Sequence, residues 1–299
     1  MTAQKPTLLV TGASGQLGRQ VIDLLLQAEA GPVIAMTRNP EKIAALKDRG
    51  VEIRQGDFDD PASLATAFAG ADRVLIVSTD GVGRPGGRQA QHVAAVKAAA
   101  AAGVSHVVYT SAPAPTPTSH DSVINDHYWT EVALAESKLP GWTVLRNHIY
   151  ADMILRALPP AIASGQLFSA TGQGGRSYVT RADCAGAAAG ALAADFYDKR
   201  ILDVTGPAPV TQDEIAAIAG ELTGKTVRHI PLSGDDLRKG LLAAGIPPAY
   251  AEALSDFDVA AAQGYHAIVT PAVKELSGKE PTGVRAFLTA NRQAFMPAV

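Results

Sequence analysis

A loop able to meet phosphate begins at Thr11. The segment Thr11-Gly12-Ala13-Ser14-Gly15-Gln16-Leu17-Gly18 spaces three glycines three apart, after an apolar run that reads as a strand and before a periodic stretch that reads as a helix. In that context each glycine has its own task. Gly12 permits a tight turn, Gly15 lets backbone approach a ligand with no Cβ in the way, and Gly18 lets helix and strand pack closely. The helix N-terminus adds favourable charge for a pyrophosphate. Outside that context the glycines would only shape a turn. Within it, Thr11, Gly12, Ser14, Gly15, Gln16, Leu17 and Gly18 are the expected dinucleotide-binding residues.

The end of the second strand normally selects the dinucleotide. A carboxylate there accepts bonds from the ribose hydroxyls of NAD, whereas a basic residue meets the extra phosphate of NADP. Here it reads Thr37-Arg38-Asn39. No acid is present, and the Arg38 guanidinium can bind phosphate in bidentate fashion, so NADPH is the expected cofactor. Asp57 and Phe58 after the third strand are expected to flank the adenine. Ser78 and Thr79 after the fourth are expected on the ribose and nicotinamide side.

These residues need elements to hold them. Short β-branched runs alternate with Ala- and Leu-rich periodic segments, the pattern of βα units building a parallel sheet. Strands are predicted at 7–11, 32–37, 51–55, 73–78, 106–110 and 142–146, with another at 201–205 after a change of rhythm near Pro159-Pro160. The Pro-rich stretch 112–119 reads as a loop. The predicted fold class is α/β, a Rossmann-type doubly wound parallel sheet with a smaller, mainly helical C-terminal domain. Residues 1–150 form the NADP-binding domain, completed by about 176–206, and 151–175 with 207–299 form a substrate-binding domain packed over the sheet's edge.

Composition removes several classes. The chain has 299 residues, 47% hydrophobic and 18% charged, which is an ordinary globular balance rather than a disordered one. Its 26 basic and 29 acidic residues give a net charge of -3 with no basic run to follow a phosphate backbone, so no nucleic-acid partner is expected. A single Cys excludes an internal disulfide. The start carries no signal-peptide pattern and no apolar run is long enough to span a bilayer, so a cytoplasmic protein without membrane contact is expected. The seven His show no ligand spacing, and no metal site is expected. A homo-oligomer stays open.

The ordered blocks TGASGQLG at 11–18, TRNP at 37–40, GDFDD at 56–60, YTS at 109–111, DHYWTE at 126–131, LRN at 145–147 and TRAD at 180–183 resemble the NmrA-like branch of atypical short-chain dehydrogenase/reductases, over nearly the whole chain. The resemblance implies a Rossmann domain, a small C-terminal domain, NADPH, and hydride transfer to quinone-like or dye-like acceptors. It also implies that Asn147 and Tyr150, after the sixth strand, border the nicotinamide and the acceptor, although Asn147 could instead satisfy a local turn.

Ordinary short-chain dehydrogenases carry a Tyr and a Lys where this chain has His127 and Glu131. A quinone already accepts hydride readily and can take its proton from water, so the missing acid favours an electron-poor acceptor. His127 and Glu131 are four apart and would share a helix face, where the carboxylate could orient the imidazole as a proton donor or the two could be a plain surface pair. Ser111 at the end of the fifth strand is a candidate for binding substrate or ribose oxygen, or for capping the next loop. Trp129, Phe168, Tyr150 and Tyr178 are candidate faces for a flat acceptor. The expected function is an NADPH-dependent quinone reductase. The alternatives are a carbonyl or enone reductase using His127 as the acid, and a non-catalytic NADP(H) sensor.

Overall fold

The computed structural model describes residues 5–81, 87–117, 122–196 and 198–296. Contact density divides them between two compact units. The first comprises Met1–Arg146, Cys184–Leu202 and Lys274–Gly278; the second comprises Asn147–Asp183, Asp203–Val273 and Lys279–Val299.

The first unit alternates strand and helix as the pattern requires. β1 (Leu8–Val10), β2 (Val33–Thr37), β3 (Glu52–Gln55), β4 (Arg73–Ile76), β5 (His106–Ser111) and β6 (Gly141–Asn147) are interleaved with α1 (Gln16–Gln27), a kinked 3₁₀ stretch at Pro40–Arg49, α2 (Pro61–Phe68), α3 (Gly87–Ala101) and α4 (Val123–Glu136). β1, β2 and β4 are buried along their whole length, as apolar strands covered on both faces must be. The sheet order is β3-β2-β1-β4-β5-β6-β8, where β8 is Lys199–Val204, and the strands from β3 through β6 all pair in parallel. The order reverses between β1 and β4, and open α/β sheets bind ligands outside the strand ends at such a point. One core of Leu9, Ile34, Phe68, Val74, Val96, Tyr109 and Val144, among others, holds these strands and helices together. The described part of the Pro-rich stretch, 112–117, is neither helix nor strand; residues 118 and 119 lie outside the described residues.

The second unit holds α5 (Ile154–Ser164), β7 (Gln166–Ser169), α7 (Gln212–Thr223), β9 (Arg228–Pro231), α8 (Gly234–Ala243), α9 (Pro248–Ala262) and α11 (Val284–Ala290). α6 (Arg181–Ala193) begins in it and continues in the first unit, where the short α10 (Ala272–Ser277) also ends. Its core gathers Ile154, Leu158, Tyr178, Ile215, Ala219 and Leu288. β7 and β9 form a parallel two-stranded sheet that the sequence reading lacked, and Pro159-Pro160, where the rhythm changes, lie inside α5. Both prolines face outward, so their lost amide hydrogen bonds fall on the solvent side of the helix. Among the described residues no helix is long and apolar enough to cross a membrane.

Candidate functional site

The ends of β1, β2, β3 and β4 open onto one groove in the first unit. Gly12, Ser14 and Gly15 line it after β1; Met36, Thr37, Arg38, Asn39 and Lys42 at and after β2; Gly56, Asp57 and Phe58 after β3; Val77, Ser78, Thr79 and Asp80 after β4; and Gln91 reaches it from α3.

The glycine loop is shaped as its spacing requires. Gly12 has φ +60, in the left-handed region, and its carbonyl accepts the Gly15 amide at 2.8 Å. A Cβ on Gly18 would stand 2.5 Å from that same carbonyl, so Gly18 serves packing and does not line the groove. Gly15 caps α1, and neither a capping side chain nor an acidic residue occupies the helix's first turn. The free amides there are available to an anion. Thr11, Gln16 and Leu17 also lie off the groove wall. Thr11 is fully buried and its Oγ1 accepts the Val77 amide at 2.9 Å, tying β1 to β4. Leu17 belongs to the core, and Gln16 is exposed on the first turn of α1.

The β2 end carries the charge. Arg38 is well exposed and stands 4.0 Å from Asp80 across the groove, a loose pair open to solvent. Lys42 lines the same wall, as do Ser14 and Asn39. Thr37 Oγ1 donates to Ser14 Oγ at 3.2 Å and accepts the Asn39 amide at 3.2 Å, which joins the glycine loop to the β2 end. Two cations, a hydroxyl and an amide side chain therefore surround one end of a groove whose middle presents bare backbone amides. This donor set fits a dinucleotide bearing an additional phosphate. The sequence reading missed Lys42; its place four residues beyond Arg38, in the turn that follows β2, was the available signal. Asp57 closes a turn by accepting the Asp59 amide at 3.1 Å, and Phe58 is nearly buried in the wall.

The sequence paired His127 with Glu131, and the structure separates them. His127, 3% exposed, has Nδ1 at 2.7 Å from Tyr109 Oη and Nε2 at 3.0 Å from Arg88 Nη2. A guanidinium can only donate, so Nε2 is the lone-pair nitrogen and the single proton sits on Nδ1, toward Tyr109. Burial, reinforced by Arg88 and His92, pushes the His127 pKa well below its ordinary 6.5. A neutral imidazole whose one proton is committed inside the core does not serve as the acid. Glu131 instead accepts Ser111 Oγ at 2.7 Å and Arg146 Nε and Nη2 at 3.0 and 2.7 Å. Ser111 is thereby oriented at the end of β5 with its own proton engaged.

The remaining candidates are dispersed. Trp129, 40% exposed, donates to Asn125 Oδ1 at 3.1 Å and lines a different depression between α3 and α4, with Val93, Lys97, Ala133 and Glu136. It does not face the cofactor groove. In the second unit, Asn147 Nδ2 donates to Tyr150 Oη at 3.2 Å while Asn147 Oδ1 is buried without a partner among the described residues. The Arg181 guanidinium lies 5.1 Å over the Tyr150 ring. Phe168 projects from β7, 48% exposed. Tyr178 is 3% exposed and accepts bonds from Gln212 and Arg176, which makes it core rather than an acceptor face. Among the described residues no group of His, Cys, Asp and Glu could hold a metal ion.

Residues 12–195 match the family model described as NAD(P)H-binding. The chain belongs to the NAD(P)H-binding family. Quinone oxidoreductase 2 of Escherichia coli strain K12 is 35% identical over 86% of this chain and 88% of its own length. The crystal structure of the E. coli NADPH-dependent quinone oxidoreductase with NADPH superposes with a TM-score of 0.87 at 32% identity, covering 96% of this chain and 99% of that one. The Citrobacter triphenylmethane reductase, solved with NADP(H), gives 0.85 at 34% identity over 96% and 99%. A Streptomyces griseus (4-alkanoyl-5-oxo-2,5-dihydrofuran-3-yl)methyl phosphate reductase is 33% identical over 97% and 99%. The protein is an oxidoreductase, and NADPH is its cofactor.

Proposed function

We propose that this enzyme passes hydride from NADPH to a quinone or a similar electron-poor, conjugated aromatic acceptor. The observation that carries the reading is the fate of His127 and Glu131. At the positions where a Tyr-Lys pair would supply a proton, both side chains are committed to buried partners, and neither is free to donate. A ketone reduction without a positioned acid is slow, whereas a quinone takes hydride and the resulting hydroquinone anion then collects one proton from water. The bound cofactor would supply the hydride from its nicotinamide. The protein would hold the cofactor through Gly12, Ser14, Gly15, Arg38 and Lys42, flank the adenine with Asp57 and Phe58, and border the redox end with Ser78, Thr79 and Ser111. Orientation of the two reactants would supply most of the rate.

Asn147 is proposed as the group that meets an acceptor oxygen, with Tyr150 holding its amide. The similarity to the bacterial quinone and triphenylmethane reductases supports the acceptor class. The Streptomyces relative supports a second one, an activated C=C bond, which also accepts hydride without strong acid assistance. A cytoplasmic location suits an enzyme drawing on NADPH.

Steady-state oxidation of NADPH and NADH against quinones, triarylmethane dyes, enones and simple aldehydes tests the proposal. Turnover preferring NADPH with quinones or dyes supports it, and turnover confined to enones moves the reading to the second acceptor class. Turnover with aldehydes alone overturns both.

A further inference from the structure

Behind the groove, a closed ring of hydrogen bonds joins Thr79, His92, Tyr109, His127 and Arg88. We infer that His92 is a positioning residue for the cofactor, acting through the Thr79 peptide that forms the β4 wall of the groove. The inference rests on the assignment of this groove to NADPH.

Thr79 is held at three atoms. Its amide donates to His92 Nε2 at 3.0 Å, its carbonyl accepts Arg88 Nε at 2.8 Å, and its Oγ1 donates to Gln91 Oε1 at 2.7 Å. Gln91 is fixed in turn, its Nε2 donating to Asp59 Oδ2 at 3.0 Å. The residues that do the holding are buried, with Arg88 5%, Gln91 6% and His92 0% exposed.

The proton order in the ring follows from its donors. A backbone amide can only donate, so His92 Nε2 is a lone-pair nitrogen and the His92 proton sits on Nδ1. Thr130 Oγ1 and Tyr109 Oη lie 3.1 and 3.2 Å from that nitrogen, and Thr130 spends its own proton on the Asp126 carbonyl at 2.6 Å, so the His92 proton is shared between the two oxygens and closes the ring. Arg88 fixes His127 in the same tautomer, with Nδ1 toward Tyr109. Both imidazoles are neutral and each has one orientation that satisfies its partners. A buried network satisfied in only one way is rigid, and Thr79 is the point at which that rigidity reaches the ligand. The peptide therefore faces the cofactor already ordered, and binding does not have to order it.

The geometry ranks two substitutions that packing alone would not. A Gln side chain can place its amide oxygen where Nε2 lies and accept the Thr79 amide. An Asn is one bond too short to do so and reaches only the Nδ1 position. His92→Gln is expected to keep the Kd for NADPH, read from nicotinamide fluorescence, within about twofold of the parent, while His92→Asn raises it about tenfold, the scale of one lost buried hydrogen bond. Equal affinities in both variants, whether kept or lost, would overturn the inference. A parent protein that binds no NADPH at all would instead overturn the groove assignment. Should His92→Asn fail to fold, hydrogen exchange at the Thr79 amide of the parent decides: strong protection supports the clamp, and exchange at the rate of an open loop refutes it.

Discussion

The Arg38 guanidinium and the Lys42 ammonium are both on long side chains that line the groove, and among the described residues Arg38 makes no ion pair closer than its 4.0 Å approach to Asp80. Their charges are therefore free to turn toward a phosphate. Each would make charge-assisted bonds to the extra phosphate of NADPH and none to the hydroxyl of NADH. Arg38→Ala and Lys42→Ala should each weaken NADPH roughly 10- to 100-fold with little change for NADH. Isothermal titration with the two cofactors checks this, and equal losses for both would reject the assignment. The place of Arg38 on the groove was legible in the sequence because the end of β2 borders the crevice of such a sheet. His127 misled for the opposite reason. An i,i+4 spacing shows which residues share a helix face, but not that Arg88 and Tyr109, from other elements, compete for the imidazole and that Ser111 and Arg146 take the carboxylate.

At the scale of elements, the seven strands of the large sheet were readable because β-branched runs and capping glycines punctuate them. β7 and β9 were not. Each has four residues, with the sequences QLFS and RHIP, too short and too mixed for a period to show. Another feature invisible along the chain is how α6 ends. Arg73, 1% exposed at the start of β4, donates from Nε, Nη2 and Nη1 to the carbonyls of Leu192, Ala191 and Phe196 at 2.8, 3.3 and 3.2 Å. The Ala191 and Leu192 carbonyls are orphans of the α6 C-terminus and the Phe196 carbonyl lies just beyond it, and a cation suits that end of the dipole. The same helix runs so close to α10 that a Cβ on Gly190 would fall 1.8 Å from the Leu276 carbonyl, leaving α6 no freedom to shift and find other partners. Arg73→Met keeps the volume but strands those carbonyls, and should cost about 3 kcal/mol in urea unfolding. A loss below about 1 kcal/mol would mean that water satisfies them.

The whole molecule buries several imidazoles without charging them. Burial, with Arg88 nearby, holds His92 and His127 well below the ordinary 6.5. Burial and Arg73 bring His106 down to about 4, and burial and Arg176 bring His266 to about 3. Each of these groups takes up a proton in the unfolded chain near 6.5 but resists it in the folded one. Their contribution to stability is thus complete above 6.5 and declines as pH falls from there toward the folded value, by up to about 1.4 kcal/mol per pH unit per group. The carboxylates with clear shifts, Asp198, Glu221 and Asp236, are all lowered, so their contributions disappear only at more acid pH. Between pH 7.5 and 5 these four histidines should cost the molecule at least about 2 kcal/mol in urea titrations. Because His92 and His127 stay neutral in the folded protein as pH falls through 6.5, the ring that holds Thr79 should remain intact while the stability declines. Unchanged or greater stability at pH 5 would show that these imidazoles are already protonated in the fold, which would reverse the proton order assigned to the ring.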